Sequence, residues 1–78
     1  MEKEKINFQI ETYELKNKMI DEELVKLQSE LKEVANREVT DFNIGLLESI
    51  TTKLRNLLVE KSHNNEFICC LKAFVKEA

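Results

Sequence analysis

From Ile6 to Val34 the apolar residues of this chain recur in steps of four and three: Ile6, Ile10, Tyr13, Ile20, Leu24, Leu27, Leu31 and Val34. The one step of seven holds Asn17 in register, so the series is an unbroken heptad seam over four repeats. Ile10, Asn17, Leu24 and Leu31 take its a positions, and Ile6, Tyr13, Ile20, Leu27 and Val34 its d positions. No Gly or Pro interrupts residues 2–39, where Glu, Lys and Leu favour helix. A helix over residues 3–38 would be about 54 Å long at 1.5 Å per residue. A chain of 78 residues cannot wrap such a rod on all sides, so the seam calls for a neighbour. Asn17 suits that role, because a polar a residue costs stability but fixes register and strand number when it pairs.

Glu38-Val39-Thr40-Asp41 ends the rod, and Thr40 or Asp41 is placed to cap a second helix over residues 41–61. Leu46, Leu47, Ile50, Leu54, Leu57 and Leu58 give that helix one apolar face. Ser62-His63-Asn64-Asn65 reads as a second break, followed by a third helix over residues 65–77 with Phe67, Ile68, Leu71, Phe74 and Val75 on its face. Three turns are marginal alone and need packing to persist. The short connection makes the second helix an antiparallel neighbour of the first helix's C-terminal half. The third either doubles back or, as we favour, continues with a kink along the N-terminal half. Phe8, Leu15 and Met19 lie there opposite the seam, a second apolar surface, and a helix apolar on two sides is sandwiched.

Zero Pro and a single Gly leave almost no turn chemistry for a β-rich fold, and 42% hydrophobic residues are too many for a disordered chain. The expected fold is therefore all-α: a single helical domain over residues 1–78, one long helix followed by two shorter ones, packed as a coiled coil or helical bundle and oligomeric. The net charge of −3 argues against binding by phosphate neutralisation, which needs a basic patch. The charge is uneven, with seven basic and ten acidic groups in residues 1–39 and five of each thereafter.

The opening Met1-Glu2-Lys3-Glu4-Lys5 lacks the apolar run of a secretory signal, and no stretch approaches the about 20 apolar residues that cross a bilayer. Adjacent Cys69 and Cys70 make no disulfide framework, so reduced thiols in a cytoplasmic setting are expected. Adjacent cysteines on a helix point about 100° apart, so His63, Cys69 and Cys70 make a poor zinc set. The stretch from Asp41 to Gly45 starts like a calcium loop but puts Thr52 where the twelfth-position Glu belongs. No phosphate loop, nucleophile elbow or buried carboxylate pair is apparent, so no catalytic residue, metal or cofactor is assigned and no enzyme is expected. Gly45, Ser49, Thr52 and Asn56 form an uncharged small-residue stripe, either a solvated face, the reading preferred, or a second contact surface through close helix approach.

The expected function is a non-enzymatic interaction module, an adaptor, chaperone-like or inhibitory protein that meets itself or another protein through helix packing, with no membrane or small-molecule partner. An alternative is a small dimeric transcription regulator binding nucleic acid through Lys72 and Lys76. A weaker one is a thiol- or metal-responsive switch at His63, Cys69 and Cys70. The seam from Ile6 to Val34 is the expected oligomer or partner seam, with Phe8, Leu15 and Met19 as the second surface, so Leu24→Glu or Leu27→Glu breaks assembly by placing a charge in it, read as molar mass over a dilution series.

Overall fold

In a computed structural model describing residues 2–77, two helices account for nearly the whole chain. Met1 and Ala78, the ends of the expected domain, lie outside the described residues. Helix α1 spans Glu2–Ala35 and α2 spans Asp41–Glu77, and among the described residues there is no strand. The two lie antiparallel, as the pairings of Val34 with Ile50, Asp21 with Lys61 and Ile10 with Ile68 require.

The expected end of α1 near residue 38 comes three residues earlier. The amides of Asn36 and Arg37 still donate to carbonyls at Lys32, Glu33 and Val34, but the chain then leaves the helix without any left-handed residue. The five-residue turn closes on α2 through local bonds. The Asn43 amide donates to Thr40 Oγ1 at 3.1 Å, which makes Thr40 the N-cap, and the Asn43 side chain donates to the Glu38 carbonyl at 2.8 Å. Asp41 follows in the first turn, where its charge favours the positive end of the helix dipole.

The expectation of three helices is not met. Residues 62–65 do not break the chain, no kink sets off a third helix over 65–77, and His63 sits on a helix rather than in a turn. Ser, His and Asn are weak helix formers, each costing a few tenths of a kcal/mol relative to Ala, and they do not break a helix as Pro does. Tertiary contact decides the outcome here, because Asn64 is buried against α1 and its neighbours carry the helix through. The path along the N-terminal half of α1 is found, but as the straight continuation of α2.

One signal in the sequence carries this continuity. Asn43, Leu47, Ile50, Leu54, Leu57, Lys61, Asn64, Ile68, Leu71 and Val75 run in unbroken steps of four and three, and none of them is exposed. The polar residues Lys61 and Asn64 fill the steps between Leu57 and Ile68, so the register never shifts. All nine seam residues of α1 are likewise buried or half-buried. The seam of α1 therefore faces α2 of the same chain. A charge at Leu27, which is 4% exposed, strikes the hairpin itself.

The core is thin. One apolar cluster joins Ile10 to Ile68 and Leu71, with Ile6, Tyr13 and Val75 packed on it. The other joins Leu27 and Val34 to Ile50, flanked by leucines of both helices. Among the described residues no large side chain is fully buried. The principal extents are 58 × 15 × 13 Å and the radius of gyration is 17.6 Å, against about 11.5 Å for a compact domain of this length.

Two substitutions with opposite signs test this packing by denaturant titration. Leu27→Ala lowers the unfolding free energy by about 2–3 kcal/mol, as loss of a buried leucine does. Gly45→Ala raises it by about 0.5–1 kcal/mol, since a Cβ at Gly45 meets no atom within 4 Å and alanine is the better helix former.

Candidate interaction surface

Between the two apolar clusters lies a polar layer. Asn64, 7% exposed, donates from Nδ2 to Asn17 Oδ1 at 3.0 Å, and Asn17 Nδ2 donates to Asn65 Oδ1 at 2.8 Å. One turn away, Lys61 Nζ pairs with the Asp21 carboxylate, which lets a lysine occupy a seam position with its stem half-buried. Among the described residues no buried side-chain nitrogen or oxygen lacks a partner. The layer has a structural use: a register slip of one heptad would bury Asn64 against an aliphatic side chain at the cost of an unpaired amide. The sequence marks Asn17 as a register device. Its mates, Asn64 and Asn65, stand where a break was expected.

Toward the open end of the hairpin the aromatics gather. The Tyr13 and Phe67 rings lie 4.9 Å apart, tilted at 52°, and Lys16 Nζ sits 4.8 Å from the Tyr13 ring centre. Such contacts contribute about 0.5–1.5 kcal/mol for the ring pair, less for the exposed cation. Phe74 is exposed on the flank of α2 and Phe8 on the back of α1, with Lys5 and Gln9 lining the hollows beside both.

The residues expected to form a second apolar surface lie on the side of α1 opposite the seam. Phe8, Leu15 and Met19 are 69%, 59% and 61% exposed and point away from α2. Thr12 falls among them at the same four-three spacing, its hydroxyl engaged with the Phe8 carbonyl at 2.8 Å. Phe8, Thr12, Leu15 and Met19 thus form a second stripe with the period of the seam. No part of α2 reaches it, because one helix cannot cover both sides of another.

The remaining candidates disperse. Cys69 and Cys70 are both exposed, as is His63, and no group of three His, Cys, Asp or Glu among the described residues is arranged to hold a metal ion. Gly45, Ser49, Thr52 and Asn56 lie exposed on the outer side of α2. Among the described residues no helix is long and apolar enough to cross a membrane. No protein family, curated protein or solved structure matches the chain.

The polar layer makes its own prediction. Asn17→Leu alone leaves the buried Asn64 amide without its acceptor and costs about 1–3 kcal/mol in denaturant unfolding. The double substitution Asn17→Leu/Asn64→Leu regains that loss, and broadened amide resonances in its NMR spectrum report the slackened register.

Proposed function

We propose that this protein is a non-enzymatic interaction module: a rigid helical hairpin that docks on a protein partner by coiled-coil packing along the back of α1. One observation carries the reading. The chain exposes 6349 Å², whereas a compact monomer of 9.2 kDa exposes about 4,900 Å². The surplus of about 1,400 Å² exceeds the roughly 800 Å² that each partner contributes to a standard protein interface. Part of that surplus is apolar and periodic, in the stripe from Phe8 to Met19, which supports helix packing as the mode of contact. Because α2 already occupies the seam from Ile6 to Val34, the docking residues are Phe8, Leu15 and Met19, and the seam's task is to hold them rigid.

The test separates docking from folding. Leu15→Lys/Met19→Lys adds charge to the outer stripe and leaves the seam intact, so far-ultraviolet circular dichroism and the thermal transition of the isolated chain at high dilution stay as in the wild type. Association falls at least tenfold, read as molar mass of the purified protein and as the chemical cross-links it forms in cells. A double variant that associates and cross-links as the wild type does overturns the reading.

A further inference from the structure

Resting on that reading, we infer that the occupant of the outer stripe is a second copy of this chain, its α1 lying antiparallel on the first across a two-fold axis between Thr12 and Leu15. The stripe is self-complementary in that direction and in register. Set Phe8 opposite the second copy's Met19, and Thr12 falls opposite Leu15 from both sides of the axis. A large residue then meets a smaller or more flexible one at each level, the condition for interdigitation.

Charge fixes the direction. Continuing the four-three spacing outward from Phe8 and Met19 reaches Lys5 at one end and Glu22 at the other, both exposed. In an antiparallel pair Lys5 meets the second copy's Glu22, and symmetry repeats the contact at the opposite end. In a parallel pair the same positions bring Lys5 onto Lys5 and Glu22 onto Glu22. Glu11 and Lys18 flank the stripe on one side, seven residues apart, both exposed and without a partner in the described ion pairs. The antiparallel arrangement brings Glu11 of each copy beside Lys18 of the other, as facing flank positions do. Its one like-charge meeting, Glu2 with Glu23, falls at the outermost turn, where water screens it.

The overlap is also long enough. With the axis midway between residues 8 and 19, residues 2–25 of each α1 lie side by side, about 35 Å of contact. That contact draws on the exposed surface which the isolated hairpin has in excess, and it produces a four-helix assembly with the two copies of α1 at its centre. An isologous two-fold contact of this kind is closed, so it ends at the dimer and does not propagate.

The experiment is sedimentation equilibrium of the purified full chain over a dilution series, with four proteins compared: wild type, Glu11→Lys, Lys18→Glu and the double exchange. Residues 11 and 18 project away from α2, so all four fold alike by circular dichroism. The wild type shows a monomer–dimer equilibrium. Each single exchange replaces two symmetry-related attractions by repulsions and weakens the dimer about tenfold or more, and the double exchange restores it to within about threefold. A dimer indifferent to the exchanges overturns the antiparallel arrangement. A chain monomeric throughout the series overturns self-association, while cellular cross-links lost in Leu15→Lys/Met19→Lys would then assign the stripe to a different protein.

Discussion

Two helices can hide only one stripe each from water, and this geometric limit governs the rest of the molecule. The seam on α1 and the matching seam on α2 meet along their whole length and exhaust each other. Most large apolar residues that fall off those two stripes stay wet, including Phe8, Leu15, Met19 and Phe74, while Leu46 is half-buried against the cluster near the turn. In larger folds a third layer would cover such residues. Among the described residues there is no third element, because those that might have formed one extend α2.

Within that limit, specificity comes from the polar residues more than from the apolar ones. Leucine and isoleucine at heptad positions attract each other in many registers, since one aliphatic side chain substitutes for another at small cost. The Asn17–Asn64 pair is satisfied in one register only, and the Lys61–Asp21 pair agrees with it. The exposed ion pair itself adds at most about 1 kcal/mol. The amide pair matters chiefly through what is lost on misalignment, when a buried amide would face hydrocarbon. The layer sits between two apolar clusters, so a slip at either end is felt at the centre.

The same residues explain what was legible in the sequence. The α1 seam was readable because eight of its nine positions are apolar, and the Thr40 cap because its side chain acts locally on Asn43. Phe8, Leu15 and Met19 were legible as apolar residues opposite the seam from their spacing alone, whereas Thr12 was not singled out. Continuity of α2 was not, since Ser62, His63, Asn64 and Asn65 together resemble a turn, and the contact that seats Asn64 in the seam comes from Asn17, 47 residues away. Propensity is a local quantity and the force that overrides it is not. What does survive in the sequence is phase: Leu57, Lys61, Asn64 and Ile68 keep the four-three step, and a true break would have let it drift. Phase is therefore the better guide to helix ends in chains without proline.

With a thin core and a wet second stripe, the proposed association would also bear on stability. A hairpin whose largest core residues all retain some exposure gains little margin from its own packing. Binding to the folded form alone adds RT ln(1 + [L]/Kd), about 2.7 kcal/mol when the partner stands a hundredfold above Kd. For a small domain with total stability of a few kcal/mol, a contribution of that size is a large share of the whole. It would act on the open end of the hairpin, because the stripe from Phe8 to Met19 backs the same turns that pack Ile10 and Tyr13 against Ile68 and Phe67. Covering the outside of α1 there holds its helix in place for the inside contact. A partner docked as proposed on the back of α1 would thus strengthen the seam on its front, although the two faces share no side chain.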